Sequence, residues 1–278
     1  MPNNNPATSP DLIADQPAPQ RRLPYAAPWG TAIGTLGGLI GLGGAEFRLP
    51  VLLGVFRFQP LEAVILNKAM SLVVVATALP FRARSVPFAD VMAHWTIVVN
   101  LLCGSLLGAW LGASWATRLR ADLFYRLIAA LLVLIAVILF VGHDGLVHSL
   151  GLSGPMQYAI GVLAGFLIGV IASLMGVAGG EFLIPTLVLL FGLDLRLAGS
   201  LSLAISLPTM LTGFARYSRD SSFVVLTRNR KFVLLMAAGS IIGTFLGGQL
   251  LNITPTAFLL PILAAILVLS AVKVWRHA

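Results

Sequence analysis

Two glutamates, Glu46 and Glu181, sit in the same short phrase 135 residues apart. The first copy reads Gly41-Leu-Gly-Gly-Ala-Glu-Phe-Arg-Leu-Pro50 and the second Gly176-Val-Ala-Gly-Gly-Glu-Phe-Leu-Ile-Pro185. Both lie in apolar surroundings, where a carboxylate has two open roles. It can take up and release a proton, and so couple the movement of a solute to a proton gradient. Or it can serve the first turn of a restarting helix, capping free N–H groups and favouring the dipole. Cations stand nearby in the first copy only: Arg48 and Lys68 have Leu183 and Leu203 as counterparts. A lysine can hold an anion as a point charge, with Asn67 and Ser71 donating hydrogen bonds beside it. Alternatively it neutralises Glu46. Ser71 has a matching hydroxyl in Ser206. The candidate binding set is therefore Gly43, Gly44, Glu46, Asn67, Lys68, Ser71, Gly179, Gly180, Glu181 and Ser206.

The backbone that carries these groups is broken twice. Each phrase puts a Gly-Gly pair in an apolar run, with a proline nine residues after its first glycine. In a helix interior glycine costs about 1 kcal/mol and proline about 3 kcal/mol. Within lipid, interrupted backbone is tolerated only where it is buried in protein or lines a cavity. Interruptions at corresponding places in two halves point to a transporter site. A helix restarting near Glu46 or Glu181 turns its free N–H groups and positive dipole end toward the break, which suits an anion. The plainer alternative is that the glycines only permit close helix packing.

Composition decides what medium these breaks sit in. The chain has 278 residues, 58% of them hydrophobic and 10% charged, with a mean hydropathy of +0.95. Soluble domains carry roughly 25% charged residues, so a soluble fold is excluded. The apolar residues come in long runs rather than alternating, which argues against a membrane β-barrel. The expected class is an all-α polytopic membrane protein. Apolar segments run over 29–41, 49–56, 61–81, 91–116, 121–142, 155–176, 182–191, 197–214, 231–250 and 256–274. Residues 1–28 hold 7 of the 16 prolines and read as a disordered cytoplasmic tail without the apolar core of a signal peptide. The net charge of +8 comes from 18 basic residues, most of them clustered at the ends of apolar runs. That is the positive-inside pattern, not a nucleic-acid face.

The halves are also related throughout. Residues 30–112 lie on 165–247 without a gap, with 25 of 83 positions identical. Gly104, Gly108 and Gly112 fall on Gly239, Gly243 and Gly247, two small-residue faces suited either to packing inside the bundle or to a dimer interface. The expected organisation is one repeat unit over 29–142 and a second over 155–275. Each has a Gly-broken helical hairpin followed by three transmembrane helices. If each broken segment re-enters on the side it came from, the repeats are inverted. The loops around Arg57, from Arg118 to Arg126 and from Arg216 to Lys231 then face the cytoplasm with both termini, leaving Arg82, Arg84 and Arg196 as exceptions. If each crosses once, the repeats are parallel. Re-entry places more basic residues inside and is preferred.

With its doubled GxGG-x5-P signature at Gly41, Gly43, Gly44 and Pro50 and again at Gly176, Gly179, Gly180 and Pro185, the chain resembles the sulfite exporter TauE/SafE family of membrane permeases over about residues 29–275. The second copy departs from the signature at Ala178, and the first has Ala45 where many members carry another glycine. The resemblance implies passage of small sulfur-containing or carboxylate anions across a cell inner membrane, without naming the anion. The expectation is a secondary anion permease working by alternating access, with a proton as one option for a coupling ion. No enzyme activity, cofactor, metal or nucleic acid is expected. The rival expectation is a membrane assembly or regulatory subunit without flux of its own.

Overall fold

The computed structural model describes residues 20–58, 60–115, 154–175, 177–217 and 222–275, together with positions 133 and 137. Helix is the only regular structure among them. Residues 1–19, most of the segment 121–142 and of the loop 142–154, Arg118, Arg120, Arg126 and Gly176 lie outside the described residues.

The helices are α1 (Ala26–Ile40), α2 (Ala45–Pro50, running on as a π-helical turn over Val51–Val55), α3 (Pro60–Arg82), α4 (Phe88–Ala93), α5 (Trp95–Trp115), α6 (Pro155–Met175), α7 (Gly180–Phe191), α8 (Leu195–Tyr217), α9 (Ser222–Arg228), α10 (Arg230–Ile253) and α11 (Thr256–Trp275). Five of these, α3, α5, α6, α8 and α10, are long and apolar enough to cross a membrane. Large apolar side chains such as Leu107, Trp110, Leu163, Leu167, Ile242 and Phe245 stand exposed on α5, α6 and α10. In water such faces would be a liability, whereas lipid accepts them.

Three boundaries differ from expectation. Among the described residues a 3-10 turn over Gln20–Tyr25 already leads into α1, ahead of the expected start at Trp29. Pro28 is the third residue of α1, where its missing N–H would have had no intrahelical partner. The run 91–116 is divided at His94, whose backbone closes α4 before α5 starts at Trp95. The basic stretch between Arg216 and Lys231 contains α9, a helix of its own.

The glycine faces are used within the chain. In α10, Gly239, Gly243 and Gly247 receive the backbone of Ala27, Thr31 and Thr35, while Gly30, Gly34 and Gly38 of α1 receive Met236, Ser240 and Thr244. In α5, Gly104, Gly108 and Gly112 receive Val162, Phe166 and Val170, while Gly165 and Gly169 of α6 receive Leu101 and Ser105. Each pair thus runs parallel, and the contacts of the α5–α6 pair map onto those of the α1–α10 pair by the 135-residue offset; Gly38 against Thr244 is without a glycine counterpart, since Ser173 stands there. A Cβ on any of these glycines would enter a neighbouring backbone, so only glycine lets the helix axes come this close.

Both broken segments double back. The first residue of α1, Ala26, shares an apolar cluster with Phe56 and Phe58, which follow α2, and with Phe232 at the start of α10. The ring of Phe232 lies 4.8 Å from Phe56 and 4.9 Å from Phe58. Near the start of α6, Gln157 donates to the Leu190 carbonyl near the end of α7 at 2.8 Å. Between the hairpins, α3 and α8 run antiparallel: Lys68 lies by Gly213 near one end and Arg82 bonds Ser200 near the other.

Candidate functional site

Each hairpin turns on glycines in the left-handed region. Helix α1 closes on Gly41 (φ +96°), and α2 restarts after Gly44 (φ +68°); α7 restarts after Gly179 (φ +76°). A side chain at any of these positions would strain the turn. The same six-residue closure ends both first limbs: Leu42 N–H donates to Gly37 O at 2.9 Å, and Val177 N–H to Ala172 O at 3.2 Å. Helix α7 continues through Pro185 and α2 through Pro50 into its π turn. The glycines therefore make the interruption, contrary to the expectation that proline shares in it. What proline removes is the N–H four residues after each glutamate, which frees the carbonyl oxygens of Glu46 and Glu181 from the helical ladder.

The tips of the two hairpins touch. A Cβ on Gly43 would lie 2.7 Å from the Ala178 Cβ, and one on Gly180 would lie 3.0 Å from Leu42. Helix α8 fastens both tips with hydroxyls: Ser202 donates to Gly41 O at 2.8 Å and Ser206 to Ala178 O at 2.7 Å. These tips, far apart in the chain, form one junction against the antiparallel pair α3 and α8.

The predicted polar residues divide into two groups on α3. Asn67 and Ser71 are one turn apart and face α2. There the wholly buried Arg48 donates from Nη1 to Ser71 Oγ at 3.0 Å and to the Asn67 backbone carbonyl at 3.4 Å. Glu46 is buried in the same short helix, close enough for its carboxylate to act on the Arg48 charge. Lys68 is one residue on, about 100° around the helix, and faces α8 instead. Its ammonium reaches a small pocket whose walls include Ser173 of α6, Val177 of the second tip, and Thr209, Met210 and Gly213 of α8. Glu181 is buried in the first turn of α7. Gly43, Gly44, Ser71, Gly180 and Ser206 thus meet at or beside the tips, whereas Lys68 looks into a separate space next to them.

Sequence reasoning missed Ser173, Thr209 and Gly213. Each is a polar or open position whose counterpart, Gly38, Val74 or Ala78, is different in character. That mismatch was the available signal, and it had already picked out Lys68. It also misplaced Arg82, which is buried and donates to Gly38 O at 2.8 Å, Leu39 O at 2.7 Å and Arg196 O at 2.8 Å. Arg196 in turn donates to Thr254 O at 2.9 Å. Two of the three topology exceptions are therefore arginines that serve the carbonyl ends of α1 and α10.

A bundle of apolar helices with two touching backbone breaks and buried cations beside them has the build of a multi-pass membrane transporter. The chain belongs to the sulfite exporter TauE/SafE family, which matches it over residues 25–274. This is a family of membrane permeases, not enzymes. The chain is also similar to the "Probable membrane transporter protein YunE" of Bacillus subtilis (strain 168), at 22% identity over 259 residues, covering 86% of this chain and 92% of that protein. No solved structure matches it. The rival expectation of a subunit without flux gives way to a membrane transporter.

Proposed function

We propose that this protein moves small anions across the cell inner membrane by alternating access around the junction of the two hairpin tips. The meeting of Gly43 with Ala178 carries the reading, because it gathers two interrupted backbones and their restarting helices at one place. The chain acts as an inverted repeat with both termini in the cytoplasm. The hairpins that double back and the antiparallel run of α3 against its counterpart α8 support that arrangement. Rocking one half against the other would open the junction to each side in turn. Of the two roles open to Lys68, contact with the anion fits its place on the pocket wall, while Arg48 is the cation near Glu46. Glu46 and Glu181 are the groups offered for proton coupling.

The test is flux into liposomes loaded with the purified protein, using sulfite, a sulfonate and a small carboxylate. At least one should accumulate faster than in empty liposomes, and an imposed pH gradient should drive it. Glu46→Gln and Glu181→Gln should reduce that dependence on pH. Absence of flux for every anion, from protein that is folded and correctly inserted, would refute the reading.

A further inference from the structure

The pocket beside the second hairpin tip is made from residues that the two halves do not share. Its cation, Lys68, comes from α3 in the first half, and its hydroxyls, Ser173 and Thr209, come from α6 and α8 in the second. Moving by the repeat offset turns Lys68 into Leu203, Ser173 into Gly38, Thr209 into Val74 and Gly213 into Ala78. There the positions are apolar and buried. Leu203 and Ala78 belong to one closed apolar cluster with Val75, Ala178 and Met210, and Gly38 lies against the backbone of Thr244. The duplication therefore yields one polar pocket and one packed counterpart among the described residues.

The two hydroxyls differ in what they have left to offer. Thr209 is committed, donating to Ile205 O at 2.9 Å and sharing a 2.8 Å hydrogen bond with Ser105. Ser173 is only 5% exposed, and its Oγ has no hydrogen-bond partner. A buried hydroxyl in that condition is costly to keep, and this one lines a pocket that a lysine also enters. Gly213 closes the other side. A methyl group there would sit 3.7 Å from Lys68 Nζ and 3.9 Å from Cε, which is ordinary contact. Alanine would fit without strain and would occupy the space over the ammonium.

We infer that this pocket holds a single compact anion per chain, with Lys68 supplying the charge and Ser173 the hydrogen bond, and that Gly213 sets the largest anion admitted. The inference rests on the reading of the chain as an anion transporter, but binding and flux can be measured apart. Sulfite as a compact probe and ethanesulfonate as a bulkier one are titrated calorimetrically into the full chain in detergent, and flux of both is followed in liposomes. Wild type should bind one sulfite per chain. Lys68→Met should remove measurable binding, and Ser173→Ala should weaken it about tenfold, as expected for one hydrogen bond to a charged group. Gly213→Ala should not lower the melting temperature of the unliganded protein and should weaken ethanesulfonate more than sulfite.

Two sulfites per chain, no sulfite binding by wild type, or unchanged affinity in Ser173→Ala and Gly213→Ala would each overturn the inference. Flux that persists while the variants leave binding untouched removes the pocket and keeps the transport reading. Binding that responds as expected in a protein with no flux keeps the pocket and removes that reading.

Discussion

After the break in the first half, Glu46 is followed two residues later by Arg48; after the break in the second half, Glu181 is followed by Leu183. The backbone around them is otherwise treated alike. Both restarts follow a left-handed glycine, both first limbs close with the same hydrogen bond, and both glycine faces are packed by counterpart neighbours. The halves share what positions a site and differ in what could act in one. Shared residues fix where the hairpins turn and how closely helices approach. Unshared ones, Arg48, Lys68, Ser173 and Gly213, supply charge, a donor and room.

The contrast is tested most severely at Arg48. Arg48→Leu copies the second half into the first and removes a buried guanidinium from beside Glu46 and from its hydrogen bonds to Ser71 and the Asn67 carbonyl. Taking away a buried charge that others are arranged around can cost up to about 3–5 kcal/mol, so less monodisperse protein should survive detergent extraction. Glu46→Gln in the same chain should recover most of it. A variant as stable as wild type would mean that the first half does not depend on its extra charge.

The glycine faces come next. Gly108→Val and Gly243→Val occupy matching positions, and overpacking typically costs about 1–3 kcal/mol. Their melting temperatures should fall by similar amounts. A large fall in one alone would break the claim that the halves are packed alike. The hydroxyls should separate the halves instead. Ser71→Ala removes an acceptor from a guanidinium and should cost about 1.5–3 kcal/mol, whereas Ser206→Ala removes a neutral bond to Ala178 O and should cost about 0.5–1.5 kcal/mol. Chemical or thermal denaturation of the pair, side by side, checks the order.

Much of the fold could be read from residue types. The runs 61–81, 155–176 and 256–274 became α3, α6 and α11 almost to the residue, because a long apolar stretch in lipid has no alternative to helix. The breaks were legible because glycine pairs are rare and costly inside such stretches. The packing of the glycine faces against α1 and α6 was not, since a small-residue stripe says that a neighbour comes close and not which one. The split between Arg48 and Lys68 was hidden for a similar reason. Their spacing put Asn67, Lys68 and Ser71 on one helix, but only the positions of α2 and α8 decide which face each meets. Arg82 was misread because an arginine at a helix end looks the same in sequence whether it faces water or a set of carbonyls.

That arginine ties the assembly of the protein to time. Two of its hydrogen-bond partners, Gly38 and Leu39, are made before it, while Arg196 and Ser200 follow 114 and 118 residues later. At about 5–20 residues per second, a ribosome needs roughly ten seconds to cover that distance. Through that interval only the Gly38 and Leu39 carbonyls among these partners exist. The carbonyl and hydroxyl that complete Arg82 are still to be synthesised, so the first half is finished only by the second.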